Sequence, residues 1–468
     1  MVLHFDHSWA RDLPGTYLRV APDPAPSPRL LILNNSLAAA LGISLSEAEA
    51  TRWLSGAALP PGSDPIAQAY AGHQFGGFSP QLGDGRAHLL GEVISPDGRR
   101  FDIQLKGSGR TPFSRGGDGK AAIGPMLREY LISEFMAAAG VPTTRSLAVV
   151  ATGEDVWRET KLPGAVLARV AASHLRVGTF QFFAARGDQA NVKALADYAI
   201  ARHYPDLAQA DQRYLAFLDA VIARQARLIA QWMGLGFIHG VMNTDNMAIS
   251  GETIDYGPCA FMEGYAPGTV FSSIDHQGRY AYQNQPLILG WNLARLAETL
   301  IPLLDPDPDR AVDLANTRLT GIADRFRTEW TSVMRRKLGL VGKAPDDAAL
   351  ADDLLTAMSG ADWTLTFRRL ADPAALRPLF DDFRAMEAWL PRWQARAGEG
   401  AAARIAAANP AVIPRNHRVE EALTAATEGD MAPFNALLAA IQQPFTETEP
   451  YMLPAPTGFG RYVTFCGT

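Results

Sequence analysis

One polar segment near the middle of the chain, residues 239–257, constrains the fold more than any other. It reads HGVMNTDN at 239–246 and ends in IDYG at 254–257. An apolar stretch with helical periodicity (222–237) precedes it, and residues 247–254 have the pattern of a short hairpin. Such a segment is either a solvated turn with capping Asn and Asp residues or a loop that carries chemistry. The rest of the chain is needed to choose between these two interpretations.

The order of polar residues in this segment matches a loop found in protein kinases. In that loop, an Asn after the HRD motif and the Asp of a DFG motif hold metal ions. On this pattern Asn246 and Asp255 are candidate metal ligands, and His239 corresponds to the loop His. The catalytic Asp of a kinase is replaced by Val241, whose apolar side chain cannot accept a proton. Asp245 is the nearest carboxylate, so the loop predicts a pseudokinase with Asp245 as its proton acceptor.

The residues upstream predict a glycine-rich turn followed by a β-hairpin, in the order of a kinase N-lobe. Five glycines lie between residues 70 and 86, and strands are predicted at 87–94 and 99–106. Apolar and polar residues alternate in the second strand, which places Lys106 on its polar face. That face either lines a nucleotide cleft or is the solvated face of an edge hairpin.

A helix predicted over residues 124–139 lies where a kinase carries the Glu that pairs with the strand Lys. Glu129 lies beside the apolar stripe of this helix and is the candidate partner of Lys106. Glu134 falls within the stripe and is a rival on periodicity alone. The helix therefore predicts an ion pair of Lys106 with one of two glutamates and favours Glu129.

Two further segments are candidates for phosphate binding. Residues 107–120 combine five glycines with three cations, a composition that suits either a phosphate cradle or a disordered loop. Arg169 and Arg176 flank residues 171–175, and arginines so placed either bind phosphate bidentately or form surface ion pairs. The residue pattern alone does not decide between these alternatives for either segment.

Charge and cysteine content narrow the class of protein and its surroundings. The 468 residues include 43 basic and 49 acidic side chains, and the net charge of -6 gives no basic field for nucleic acid or an anionic membrane. No run of 18 apolar residues indicates a membrane span, and the first residues lack the pattern of a secretory signal. The two cysteines, Cys259 and Cys466, form no disulfide framework and suit a reducing compartment. We expect a cytoplasmic monomer with no nucleic-acid or membrane partner.

Together these patterns predict an α+β, protein-kinase-like bilobal fold with a small β-rich N-lobe and a large helical C-lobe, extended at both ends. Residues 1–69 are predicted to form an N-terminal extension packed on the body, and residues 70–175 the N-lobe. Residues 176–443 are predicted to form the helical C-lobe with the catalytic and metal loops. Residues 444–468 are predicted to be a C-terminal tail that carries Cys466.

Several long strings resemble the selenoprotein O family. They are YAGHQFGGFSPQLGDGRA (70–87), QLKGSGRTPFSRGGDGKA (104–121), HGVMNTDNM (239–247) and IDYGP (254–258), together with PRNH (414–417) and the late Cys. Members of that family look like pseudokinases that transfer AMP from ATP to protein hydroxyls and hold ATP reversed relative to a kinase. The resemblance runs from about residue 65 to the end of the sequence, and it implies this fold and activity here.

The resemblance also implies roles for individual residues. The residues implied to hold the outer phosphates are Lys106, Arg169, Arg176, Asp118 and Gly119. The residues implied to line the nucleotide site are Gly83, Gly85, Arg86 and, near the phosphates, Asp255. Asn246 and Asp255 are implied as ligands of Mg²⁺ or Mn²⁺, and Asp245 as the proton acceptor. Eukaryotic members carry selenocysteine near the C-terminus, where Cys466 stands here.

The function expected from these observations is that of a protein adenylyltransferase. It would transfer AMP from ATP to Ser, Thr or Tyr hydroxyls of proteins, with redox proteins among the candidate substrates, and release pyrophosphate. One alternative is an atypical kinase that moves the γ-phosphate, which Val241 argues against. The other is a catalytically dead pseudokinase that binds nucleotide, which Asn246 and Asp255 argue against.

The two cysteines suggest a regulatory hypothesis. Cys259 follows the DYG motif in the segment that corresponds to a kinase activation loop, and Cys466 lies on a tail that could fold across the same face. A disulfide between them would clamp that segment and restrain catalysis. The alternative is two unpaired thiols, Cys259 buried and Cys466 on a frayed end.

Overall fold

The computed structural model describes residues 3–465, and its N-terminal part is built on a sheet of seven antiparallel strands. The strands of the molecule are β1 (Tyr17–Arg19), β2 (Arg29–Leu33), β3 (Ile66–Gln68), β4 (Gly72–Gln74), β5 (Gly77–Ser79), β6 (Ala87–Ile94), β7 (Arg100–Lys106), β8 (Arg145–Trp157), β9 (Lys161–Ala171), β10 (Phe237–Ile238) and β11 (Ala260–Phe261). The large sheet has the order β1-β3-β6-β7-β9-β8-β2. The strands β4 and β5 form a separate hairpin, and β10 pairs with β11.

The first 69 residues supply three strands of the large sheet. The strands β1 and β2 are its two edges, and β3 pairs with both β1 and β6. The chain therefore crosses from one edge of the sheet to the other between residues 19 and 29. The predicted domain boundary at residue 69 stays a prediction, although strands from both sides of it hydrogen-bond to one another.

The remainder of the chain is mostly helical. The helices are α1 (Ser8–Asp12), α2 (Asn35–Ala40), α3 (Glu47–Trp53), α4 (Ile123–Ala138), α5 (Val177–Ala184), α6 (Gln189–His203), α7 (Arg213–Gly234), α8 (Gln285–Leu304), α9 (Pro308–Thr320), α10 (Ile322–Lys337), α11 (Asp347–Ala357), α12 (Trp363–Arg368), α13 (Pro373–Leu376), α14 (Arg384–Ala397), α15 (Ala401–Ala408), α16 (Asn416–Glu428) and α17 (Ala432–Ile441). The protein is thus a mixed α/β structure with a sheet in its N-terminal region and a large helical part after it, as predicted at this level.

Strand β7 separates an apolar face of the sheet from a polar one. Ile103 and Leu105 lie on one face and pack in an apolar cluster with residues of α2 and α3. Gln104 and Lys106 lie on the other face, because successive side chains of a strand alternate. Arg169 of β9 is paired with Gln104, so it reaches the same face. Since β7 is a central strand, the alternative of a solvated edge hairpin is wrong.

The helix α8 lies within the helical core. With the turn before it (Tyr282–Leu304), it is long and apolar enough to cross a membrane by length and composition. Its residues Leu289, Leu293 and Leu296 are fully buried, and it packs against α7 and α9. These contacts are those of a core helix.

The short hairpin predicted at residues 247–254 does not form. Ala248 and Thr253 instead make isolated bridges, Ala248 with Arg176 and Thr253 with Thr143. The two arms of the expected hairpin find backbone partners elsewhere, so they do not pair with each other. This arrangement joins the polar loop to the end of α4 and the start of α5.

Candidate active site

A cavity of about 960 Å³ lies between the polar face of the sheet, α4 and the loop of residues 241–258. One end is lined by charged residues of the sheet and the loop. The other end is lined by α16 and by the chain segment 459–465. The residues that the sequence predicts as candidates and that line the cavity are Gly85, Arg86, Lys106, Glu129, Arg169, Arg176, Asp245, Asn246 and Asp255.

Three cations converge on the carboxylate of Asp255. Lys106 Nζ donates to Oδ1 (2.6 Å), and Arg169 Nη1 donates to the same oxygen (2.6 Å). Arg176 Nη1 donates to Oδ2 (3.0 Å). Burial by itself would raise the pKa of Asp255, but the charges of Arg169, Lys106 and Arg176 hold it well below its usual range. Asp255 therefore stays ionised at the centre of a cationic cluster.

The backbone of Asp255 contributes to this placement. Its φ of 63° lies in the left-handed region, which residues other than Gly seldom adopt. The cost of that conformation is offset by the three charged contacts of its side chain. The DYG turn thus directs the carboxylate into the cavity.

Lys106 pairs with Glu129, which also contacts Arg169. The Lys106 Nζ to Glu129 Oε2 distance is 2.5 Å, and Arg169 Nη1 lies 3.3 Å from Glu129 Oε1. The rival residue Glu134 is instead held by Arg145, with an Nη2 to Oε2 distance of 2.6 Å. Both glutamates are buried on α4, but only Glu129 faces the cavity.

Asp245 is held close to this cluster in a short 3-10 turn. Its side chain is buried, and Gln74 Nε2 lies 3.3 Å from its Oδ2. Its backbone carbonyl accepts a hydrogen bond from Arg176 Nη1 (2.8 Å). Burial raises the pKa of Asp245 to about 6, against the opposing charge of Arg176.

Three buried polar atoms of this region have no hydrogen-bond partner among residues 3–465. They are Nε of Arg169, Nε of Arg176 and Oδ1 of Asp245. A buried polar group without a partner is costly in a native structure, and a bound ligand is one way to satisfy it. The cluster therefore has the unsatisfied polar atoms expected of a ligand site.

The remaining loop residues have clear positions. Asn246 lines the cavity, and its Nδ2 donates to the carbonyl of Val241 (3.0 Å). His239 is buried, stacks on Trp232 and hydrogen-bonds the carbonyl of Ile254 (2.9 Å). His239 thus joins the start of the polar segment to its end. Val241 also lines the cavity and offers no proton acceptor there.

Comparison with known proteins decides the family. The sequence profile described as protein adenylyltransferase SelO matches residues 1–442. The chain belongs to the SelO family. The predicted resemblance is therefore confirmed, and it covers more of the N-terminal region than the quoted strings do.

Three similar proteins are each named protein nucleotidyltransferase YdiU. The chain is 64% identical to the protein nucleotidyltransferase YdiU of Cereibacter sphaeroides, over the whole of both sequences. It is 58% identical to that of Rhodopseudomonas palustris, again over both whole sequences. It is also 58% identical to that of Chromobacterium violaceum, over 97% of this chain and 100% of the relative.

Three predicted nucleotide residues of this SelO-family chain lie outside the lining of the cavity. Gly83 packs behind it, where a Cβ would lie 2.3 Å from the ring of Phe113. Asp118 is held by Arg158, with an Nη1 to Oδ2 distance of 2.8 Å. Gly119 lies against the backbone of residue 109 in the same glycine-rich loop. Their contact with nucleotide stays a prediction.

Besides Gln74, the sequence reasoning missed Asp84 and Tyr70 of the site. Asp84 lines the cavity, and its Oδ2 accepts from the backbone N–H of Gln68 (3.0 Å). Burial raises the pKa of Asp84 to about 6, against the charge of Arg176. Tyr70 packs its ring under Arg176, 4.5 Å from the guanidinium carbon. The GDGR string was a signal for Asp84, but the prediction considered only its glycines and its arginine.

The thiol of Cys259 is buried beside the site. Burial raises its pKa to about 11, which keeps it protonated and unreactive in this conformation. Cys466 lies outside the described residues. Thr464, two residues before it, donates through Oγ1 to the carbonyl of Pro258 (2.8 Å). The tail therefore reaches the residue that precedes Cys259.

Proposed function

We propose that the protein transfers AMP from ATP to a Ser, Thr or Tyr hydroxyl of another protein. The observation that carries this proposal is the set of three cations around Asp255 in one cavity with Asp245. Membership in a family of protein adenylyltransferases supports it. In the reaction, the hydroxyl oxygen bonds to the α-phosphorus, and the bond from that phosphorus to the pyrophosphate oxygen breaks.

Lys106, Arg169 and Arg176 are suited to stabilise the pyrophosphate that leaves. Negative charge builds up on this group as the bond breaks, and fixed cations stabilise such charge most effectively where water is excluded. Both arginines line the cavity, and their buried Nε atoms have no partner among residues 3–465. The roles implied for Gly83, Gly85, Arg86, Asp118 and Gly119 belong to the same proposal.

Asp245 is proposed to accept the proton of the attacking hydroxyl. Within residues 3–465, Asp245 is the carboxylate next to the cationic cluster that forms no ion pair, whereas Asp255 is neutralised by three cations. A carboxylate in hydrogen-bond reach of the hydroxyl is a suitable general base. Val241 leaves the usual kinase position without any acceptor.

Asn246 and Asp255 are proposed to hold Mg²⁺ or Mn²⁺. Asn246 uses its Nδ2 on the carbonyl of Val241, which leaves its amide oxygen for a cation. No group of three His, Cys, Asp or Glu side chains within residues 3–465 is placed to hold a metal. This donor set fits Mg²⁺, which often takes one or two protein ligands and completes its shell with phosphate oxygens and water. A bound metal would supply charge neutralisation at the phosphates.

The wider proposal is a pseudokinase with a kinase-like bilobal fold. The sheet with Lys106, the helix with Glu129 and the loop with Asn246 and Asp255 follow the kinase order. The division at residues 69, 175 and 443 belongs to this proposal, as do a reversed ATP, a cytoplasmic location and a monomeric state. The proposed substrates are proteins that carry Ser, Thr or Tyr hydroxyls, with redox proteins among the candidates.

The decisive experiment supplies ATP labelled at either the α- or the γ-phosphate. We expect protein to gain label from α-labelled ATP and not from γ-labelled ATP. Label from the γ position alone would establish an atypical kinase. No transfer from either position, with ATP still bound, would establish a nucleotide-binding pseudokinase.

We also propose that Cys259 and Cys466 form a regulatory disulfide. The hydrogen bond between Thr464 and Pro258 supports it, because it brings the tail to the residue beside Cys259. A small disulfide such as oxidised glutathione would take two electrons and two protons from the pair. Mass mapping without reductant, with activity measured before and after dithiol treatment, tests this. The proposal fails if no linked peptide forms or if Cys466→Ser leaves the redox response unchanged.

A further inference from the structure

The β4–β5 hairpin is hydrogen-bonded to the loop that carries Asp245. The backbone N–H of His73 donates to Thr244 Oγ1 (2.7 Å), and that of Phe75 donates to Asn243 Oδ1 (3.2 Å). The hairpin turns through two residues, Phe75 and Gly76, which both have positive φ (51° and 88°). Two such residues form the commonest kind of tight hairpin turn, and turn type and loop length set the register of a hairpin. The hairpin is therefore a rigid element held in register with the loop.

This register places Gln74 and Gly72 on the two oxygens of Asp245. Gln74 Nε2 donates to Oδ2 (3.3 Å). Oδ1 faces Gly72, where an added Cβ would lie 2.4 Å from this oxygen and 2.9 Å from the carboxyl carbon. A glycine is required here for space and not for backbone conformation, because its φ is not in the left-handed region.

Few other groups orient this carboxylate. Arg176 hydrogen-bonds the backbone carbonyl of Asp245 and not its side chain. Among residues 3–465, Gln74 is the only side chain that hydrogen-bonds either carboxylate oxygen. The rotamer of Asp245 therefore depends on one amide and on the absence of a side chain at residue 72.

We propose that Gln74 and Gly72 are positioning residues for Asp245: the amide holds one carboxylate oxygen, and the glycine leaves room for the other. This inference rests on the proposed role of Asp245 in AMP transfer. It predicts that changes at these two residues slow the chemical step and leave ATP binding intact. A displacement of a reacting group by about 1 Å can reduce a rate by about 100-fold.

The test compares four single variants by steady-state AMP transfer, with ATP affinity measured by calorimetry. Gln74→Ala removes the donor, Gln74→Glu keeps the size but opposes the carboxylate, and Gly72→Ala pushes on Oδ1. We expect kcat to fall roughly 10- to 100-fold in each, with KM and Kd for ATP unchanged within about twofold. Phe78→Ala is the control, because Phe78 lies on the same hairpin with 42% of its surface exposed and does not line the cavity. It should retain wild-type kcat.

The outcomes separate this inference from the proposed function. Wild-type protein that transfers no AMP overturns the proposed function itself. If wild type transfers AMP and all Gln74 and Gly72 variants match it, the positioning role is wrong. A rise in KM or Kd for ATP at unchanged kcat would mean that Gln74 binds nucleotide instead. A fall in kcat that Phe78→Ala shares would assign the effect to hairpin folding and also overturn the inference.

Discussion

Two buried clusters of charged residues lie on the same face of strand β7, and only one of them opens into the cavity. Lys106 belongs to the cluster around Asp255, and Asp102 is the centre of the other. Asp102 accepts from the backbone N–H and Nδ1 of His174 (both 2.8 Å) and from Nη2 of Arg202 (2.5 Å). Burial would raise the pKa of Asp102, but the charge of Arg202 and the contacts of His174 lower it to about 2.

The two clusters differ in how completely their cations are satisfied. In the Asp102 cluster, all three nitrogens of the Arg202 guanidinium donate, to Asp102, Tyr198 and the carbonyl of Ala172. In the Asp255 cluster, Arg169 and Arg176 each keep a buried Nε without a partner in the described chain. Buried charge alone therefore does not identify a functional site. The position of the Asp255 cluster in the lining of a large cavity is what distinguishes it from the Asp102 cluster.

The largest expected effect is that of Asp255→Ala, which removes the centre of the open cluster. We expect metal-dependent ATP binding and AMP transfer to be abolished, because the proposed metal ligand is lost. Calorimetry with and without Mg²⁺, together with label transfer, measures this. Asp382→Ala, at an exposed surface ion pair with Arg384, is the control and should be unaffected. Retained metal-dependent binding in Asp255→Ala would remove Asp255 from the metal site.

Asp245→Ala should lower kcat by about 10²–10⁴-fold while KM for ATP changes little, since a general base acts mainly in the transition state. The variant should be no less stable than wild type, because burial already disfavours the charged carboxylate. Label transfer and thermal unfolding check both parts. Full activity in this variant would show that another group takes the proton.

In contrast to Asp245→Ala, Asp102→Ala should lower stability and leave activity nearly unchanged. It leaves Arg202 buried without its closest partner, and breaking such a pair costs about 3–5 kcal/mol of unfolding free energy. The rate per folded molecule should remain close to wild type. Urea unfolding measures the loss, with Asp353→Ala at the exposed ion pair with Arg392 as a control that should cost less than about 1 kcal/mol. A specific loss of kcat in a stable Asp102→Ala protein would erase the distinction between the clusters.

Lys337 is a buried cation outside both clusters. Its substitution should have the smallest effect of these variants, a change in how stability depends on pH. Burial lowers its pKa from 10.5 to about 7, and its Nζ contacts Asn409 Oδ1 (2.8 Å) and the ring of Phe367. The folded pKa lies below the unfolded one, so the unfolded chain binds more protons between these values and stability rises with pH there. The unfolding free energy of wild type should therefore rise by about 2 kcal/mol relative to that of Lys337→Met from pH 7 to pH 9. Unfolding at several pH values checks this, and a constant difference would contradict it.

The sequence predicted the local parts of the site better than its long-range parts. The alternation around Lys106 and the apolar stripe of α4 placed both residues of the Lys106–Glu129 pair. The choice against Glu134 could not be secured from periodicity, because it depends on the position of Arg145 in strand β8. Patterns within one element are visible in sequence, whereas the partner supplied by another element is not.

The incorrect hairpin at residues 247–254 has the same origin. Its residues fit a hairpin locally, but the N–H of Ile249 donates to the carbonyl of Leu175, and the N–H of Thr253 donates to that of Pro142. Tertiary partners outweighed the local pairing. Likewise, Gln74 could not be associated with Asp245 in advance, because residues far apart in the chain meet there.

The N-terminal strands have a consequence for how the protein is made. The segment that forms β1 and β2 leaves the ribosome early, yet β2 pairs with residues 148–151, which are synthesised much later. The β2 edge of the sheet therefore closes only after the central strands exist, whereas β1 pairs with β3 of the same early segment. Contacts between residues as distant as those of β2 and β8 form slowly. Until β2 pairs, β8 presents open backbone groups to other chains. Strand β2 thus covers an edge that opens anew in every nascent chain, and a protein shortened beyond residue 33 would leave β8 prone to pairing between molecules.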